Sequence, residues 1–325
     1  MKEIKYGDYI CLGWNNIPEE LQVSFLDYFR FLLDTNFEDL EKQLKKCLEL
    51  KKFPHRSNEQ LIEGIIATTP KELEKKRKDK NYYTCNAICL LKTIREIFTE
   101  DLYVTLSNKA TPSIALHNYE HILKWMLIDS GELCNLYNNI LKSDFEYKAN
   151  IDSRYTHYMS IHQILRQSLF GQISVHSFAD MEISASIAVI RQLIEIRIRR
   201  AFGVVSYIDT QENLIPLDLS RIFDAVKNHK KDIEFPVGVE NIERIYKWAN
   251  MYIHSGRKEL SWIPYFLETV LKDLSFGKWE GSSWDVKNGI STTQSVIDEI
   301  HKELLATANN NDLKIYSCKL ELTLK

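Results

Sequence analysis

The run Ile183, Ile187, Ile190, Ile194, Ile198, Ala201 spaces apolar residues by four and three, the repeat that lays one stripe along an α-helix. The same spacing recurs in Phe25, Tyr28, Phe29 and Leu32. Only 11 glycines and 7 prolines punctuate 325 residues, too few for the close-set turns of an all-β chain. The expected fold is therefore all-α, a multi-helix bundle with helices over about 18–34, 37–52, 57–67, 70–80, 82–99, 112–129, 131–142, 155–170, 178–202, 218–230, 239–254, 259–275 and 291–307. Four starts carry capping signals: Pro18, Thr69-Pro70 with Glu72, Thr111-Pro112, and Ser291 with Gln294.

One segment keeps a different period. KIYSCKLELTLK at the C-terminal end alternates Cys318, Leu320, Leu322 and Leu324 with Lys319, Glu321 and Thr323, which fits an edge strand. Residues 4–12 are a possible partner, giving a small terminal strand pair. The length suits two domains, and the polar, aperiodic SDFEYKANIDS at 143–153 is the natural divide. That gives an N-terminal helical domain over 1–145 with no readable role, and a second bundle over 150–325.

Composition narrows the function. At 44% hydrophobic and 27% charged the chain is globular. A net charge of −3 gives no overall field toward nucleic acid, so such binding would rest on a local patch. The first residues do not read as a signal peptide and no stretch approaches the ~18 apolar residues of a span, so the expected setting is cytoplasmic and away from membranes. The six cysteines, Cys11, Cys47, Cys85, Cys89, Cys134 and Cys318, are scattered and read as reduced core thiols. Cys85 and Cys89 lack the tight pairing of a structural zinc site. Nucleophile elbows, P-loops and dinucleotide fingerprints are missing, so no cofactor is implied.

The passage IERIYKWANMYIHSG (242–256) carries most of the chemistry. On a helix Asn250 and His254 share a face, with Lys247 one turn earlier. A cation, an amide and an imidazole suit phosphate binding and proton transfer without a metal. His254 as a helix C-terminal cap is the plainer reading. A second basic surface comes from Arg191, Arg197, Arg199 and Arg200, with Glu195 among them; it is either a phosphate-binding face or a set of i,i+4 ion pairs. KELEKKRKDK (71–80) followed by Tyr82-Tyr83 is a weaker candidate for phosphate tracking and base stacking. Trp279 and Trp284, in a polar Gly/Ser loop, read as a tucked loop or a contact surface.

Asn250-x-x-x-His254 ahead of Ser255-Gly256, together with the long helix SIAVIRQLIEIRIRRAFG (186–203), resembles the HEPN superfamily over about residues 155–275. The resemblance implies a helical bundle acting as a homodimer on RNA, as in bacterial antiviral and toxin ribonucleases. It implies His254 as acid/base and Asn250 as phosphate-positioning group. The family's helix carries an Arg; here Ala249 precedes Asn250, and the cation would be Lys247 or an arginine of 191–200. A degenerate, non-catalytic dimeric module is the alternative. A third reading comes from His117-Asn118-Tyr119-Glu120-His121, which spells the H-x-x-E-H of inverzincin peptidases: two histidines for zinc, Glu120 as base, and Glu182 or Glu195 as third ligand.

Overall fold

The computed structural model describes residues 24–142, 183–255, 259–276, 278–280, 283–285, 289–308 and 312–325. Twelve helices dominate these residues, with a few short strands, as the spacing of apolar residues leads one to expect. The chain forms two compact units, Met1–Ala185 with Ser255–Phe266, and Ser186–His254 with Leu267–Lys325. The expected divide at 143–153 lies outside the described residues, as do the start at Pro18, the helix expected over 155–170 and the proposed strand at 4–12.

Unit 1 begins with α1 (Phe25–Asp34), α2 (Glu38–Cys47), α3 (Asn58–Ile65), α4 (Pro70–Arg77) and α5 (Lys80–Ile97), followed by α6 (Glu100–Ser107) and α7 (Ser113–Leu141). Several starts are set by local hydrogen bonding. Thr69 caps α4, its hydroxyl accepting from the Glu72 amide at 3.1 Å, while the Glu72 carboxylate reaches back to the amide of Thr68 at 2.8 Å. Ser57 and Gln60 close a reciprocal capping box on α3. The core of the unit is aromatic: Phe29 meets Phe98 and Tyr103 edge-on, at 5.2 and 5.5 Å. Gly64 on α3 lets that helix sit against Cys85 of α5, where a Cβ would fall 2.5 Å from the sulfur.

Two expectations need correction here. Residues 112–142 form one helix instead of two, because Ser130 and Gly131 are buried and the Ser130 hydroxyl bonds the Leu127 carbonyl at 2.6 Å. The segment 100–107, not expected to be helical, forms α6 behind the cap Thr99. Residues 259–266 join this unit through the Ser261 amide, which donates to buried Asp129 at 2.7 Å, and Trp262, whose indole N–H donates to Asn86 at 3.3 Å.

Unit 2 contains α8 (Ile183–Ala201), β1 (Val204–Ile208), β2 (Leu214–Ile215), α9 (Leu219–Asn228) and α10 (Val239–Ser255). It continues through α11 (Trp262–Phe276), which starts in unit 1, then β3 (Lys278–Glu280), β4 (Ser283–Asp285), β5 (Ser291–Thr292), α12 (Gln294–Ala306), β6 (Lys314–Ser317) and β7 (Thr323–Leu324). The α8 stripe is buried as its spacing requires, with Ile187, Ile190, Ile194, Ile198 and Ala201 all in the core. Gly203, at φ 67°, ends α8 and turns the chain into β1.

The C-terminal segment is extended in part, and among the described residues it pairs with strands of unit 2. β6 pairs antiparallel with β1 in a sheet ordered β2-β1-β6, and β7 pairs parallel with β5. The alternating residues 318–322 lie between these strands. Ser291, expected to start a helix, is in β5; α12 is capped by Thr293, whose hydroxyl accepts from the Val296 amide. Trp279 and Trp284 are register partners in the antiparallel pairing of β3 with β4.

Candidate functional site

α8 and α10 of unit 2 carry most of the residues singled out, and they bring Arg191 to Asn250. Asn250, midway between the core residue Ala249 and the solvent, accepts a hydrogen bond at its Oδ1 from Nε of Arg191. The same guanidinium donates through Nη2 to the Tyr246 hydroxyl at 3.3 Å, lies 5.4 Å from the centroid of that ring, and faces Glu195 at 3.5 Å. Arg191 thus bridges two helices from a half-buried position. A guanidinium suits this task because its fixed fork reaches several acceptors at once.

Lys247 is turned the other way. Its ammonium pairs with Glu243 one turn earlier, at 2.8 Å, and Glu243 also receives Lys227 at 3.1 Å. The trio of Lys247, Asn250 and His254 therefore does not converge; the cation beside Asn250 is Arg191. His254 stands one turn beyond Asn250 in the last turn of α10, exposed and without a hydrogen-bond partner among the described residues. An exposed imidazole is placed to exchange protons with a bound group.

The remaining arginines have separate roles. Arg197 is only 5% exposed, and its guanidinium donates to the backbone carbonyls of Leu274, at 2.8 Å, and Glu321. Burial lowers its pKa. Arg199 shares Glu195 with Arg191 and donates to the carbonyls of Val205 and Leu217 at 2.8 and 2.7 Å. Arg200 is exposed and pairs with Glu321 at 3.4 Å. Of the four, Arg191 and Arg200 have guanidinium groups placed to meet a ligand; Arg197 and Arg199 hold backbone. Spacing assigns them to faces of α8 but does not say which acceptors each face meets.

In unit 1, Tyr82 and Tyr83 are buried, and the Tyr83 hydroxyl donates to the Arg77 carbonyl at 2.8 Å. Their faces are core, so the 71–80 segment lacks the stacking platform that the sequence suggested. Beside it lies an open cavity of about 340 Å³ lined by Arg56, Glu63, Lys76, Asp79 and Asn81 among others. Its charges are mixed: Arg56 donates to Asn81 at 3.2 Å, and Lys76 pairs with Glu72 and reaches the Glu63 carbonyl.

His117 and His121 do face each other on α7, with their Nε2 atoms 2.9 Å apart. No group of three His, Cys, Asp or Glu side chains is placed to hold a metal among the described residues. Glu182 lies outside those residues, and Glu195 is engaged by two arginines. Neither is there a helix among the described residues long and apolar enough to cross a membrane.

The sequence matches no family model and no curated protein, and the structure matches no solved one.

Proposed function

We propose that unit 2 is a HEPN-like, RNA-binding module with metal-independent endoribonuclease chemistry, acting as a cytoplasmic homodimer in a bacterial defence or toxin system. One observation carries the reading: where α10 has Ala249 before Asn250, a guanidinium reaches Asn250 from Arg191 on α8, one turn from the exposed His254. In this mechanism Arg191 binds the scissile phosphate and stabilises charge developing on it. Asn250 orients that guanidinium through its carbonyl oxygen. His254 moves the proton between the attacking 2′-hydroxyl or the leaving 5′-oxygen and solvent. Arg200 extends the cationic surface along α8. The test is cleavage of RNA in excess EDTA by the wild type and by His254→Ala. Cleavage lost with the histidine supports the mechanism, and equal cleavage by both proteins removes it.

A second reading has its own observation. Lys247 is paired with Glu243, and Arg191 is shared with Glu195, so the cations near Asn250 are largely balanced. A non-catalytic module that binds RNA or protein fits that balance. It predicts RNA binding without turnover in the same assay.

A further inference from the structure

The 340 Å³ cavity of unit 1 carries both signs of charge in its lining, Arg56 and Lys76 against Glu63 and Asp79, with the amides of Gln60 and Asn81 beside them. Both amides are committed at oxygen. Gln60 accepts from the Ser57 amide at 3.1 Å, closing the cap of α3. Asn81 accepts from Nη2 of Arg56 at 3.2 Å and from the Cys85 thiol at 3.7 Å. Each therefore keeps its NH2 group as a donor. Gly64 leaves room at one of them, since a Cβ there would stand 3.6 Å from Nδ2 of Asn81.

The charged groups divide in a similar way. Lys76 is spent on the protein: it pairs with Glu72 at 3.7 Å and donates to the Glu63 carbonyl, tying α4 to α3. Arg56 is half-buried, and its Nε meets no acceptor among the described residues. No carboxylate pairs with its guanidinium there either. Asp79 caps α5 by accepting the Asn81 amide N–H at Oδ1, 2.8 Å away, which leaves Oδ2. The Glu63 carboxylate is exposed and has no partner among the described residues. What the protein leaves unused is thus a guanidinium with two amide donors, and two carboxylates.

We propose that this cavity binds a free α-amino acid as its zwitterion, with the carboxylate held by Arg56 and the NH2 groups of Gln60 and Asn81, and the ammonium held by Glu63 and Asp79. A guanidinium suits a carboxylate because its fork can donate two parallel N–H bonds. Ligands of one charge fit worse. Inorganic phosphate would meet Glu63 and Asp79, and a simple amine would meet Arg56 and Lys76. The volume is near the lower end for small-molecule sites, which run from roughly 300 Å³ upward, and so suits a single amino acid.

Ligand-observed NMR titration of the full chain tests this, with each common L-amino acid as probe and inorganic phosphate and ethylamine as single-charge controls. The expected result is one amino acid, or a chemically related group, binding with a Kd below about 1 mM while neither control binds. For the tightest amino acid, the carboxamide and the N-acetyl derivative each remove one charge and should bind about tenfold more weakly or worse. Arg56→Gln should weaken the free amino acid by about as much and leave the carboxamide unchanged. Glu63→Gln should weaken it and leave the N-acetyl derivative unchanged. A residue that only supports the fold would not give this crossed pattern, and the derivative series on wild type stands without either variant. The proposal is overturned if no amino acid binds in that range, if phosphate or ethylamine binds as tightly, if a derivative binds as well as its parent, or if a folded variant weakens both forms alike.

Discussion

Arg191 and Asn250 are 59 positions apart in sequence, yet the guanidinium of one donates directly to the amide oxygen of the other. This bond couples α8 to the helix that carries His254. Under the proposed mechanism, Arg191→Lys keeps the charge and loses the fork, so RNA turnover should fall on the order of 10²-fold while the protein remains folded. Asn250→Asp should lower RNA affinity, because a carboxylate opposite Arg191 neutralises the cation that meets phosphate. Filter binding and single-turnover cleavage on one RNA separate the two effects.

Arg197 should behave differently from its neighbours. Its guanidinium donates to the buried Leu274 carbonyl and to the part-buried Glu321 carbonyl, so Arg197→Ala leaves a buried acceptor without that donor and also loses packing. The expected cost is about 3 kcal/mol of stability. Urea unfolding should show that loss, and RNA binding by the fraction that remains folded should be unchanged.

The stripe on α8 was readable in sequence because one side of a helix must be apolar if it packs on a core, and Ile187, Ile194 and Ile198 are buried as that rule requires. α6 escaped notice because its exposed Val104 breaks the stripe, although Thr99 followed by Glu100 and Asp101 is a start signal. β1 escaped because VVSYI is only five residues long and Ser206 interrupts its apolar residues, too short a stretch to declare a period of two. Of the candidate site, the α10 passage was legible, and its cation was legible only as a choice between Lys247 and an arginine of 191–200. Periodicity assigns residues to faces of one helix; it does not say which residue of a second helix lies opposite.

Gly64 marks a position where volume decides stability. An added Cβ would lie 2.5 Å from the Cys85 sulfur and 2.9 Å from its Cβ, so Gly64→Ala should cost about 1–3 kcal/mol by overpacking, despite alanine's better helix propensity. Cys85→Ala in the same chain should recover part of the loss, since the closest atom is then gone and the next remains. A double-mutant cycle by thermal or urea unfolding measures this coupling.

Glu41 gives unit 1 a pH dependence with a definite sign. The Arg95 guanidinium, 2.9 Å away, holds its carboxyl below the usual value, with Lys45 adding to the effect. A depressed folded pKa means a contribution that is complete above the unfolded value near 4.5 and disappears as pH falls through the lower folded value. Glu41→Gln should therefore melt below wild type at pH 7, with the difference shrinking toward pH 3. Melting curves at both ends of that range test it, and a constant difference would rule out the ion pair as its cause.

The pairing of β1 with β6 also sets an order of events during synthesis. Val204 leaves the ribosome about a hundred residues before its partner Ser317, a delay on the order of ten seconds at ordinary elongation rates. Through that interval one edge of β1 presents unpaired amide and carbonyl groups, and the Arg197 guanidinium waits for the Glu321 carbonyl. Nascent unit 2 thus carries an open strand edge until β6 arrives to close it.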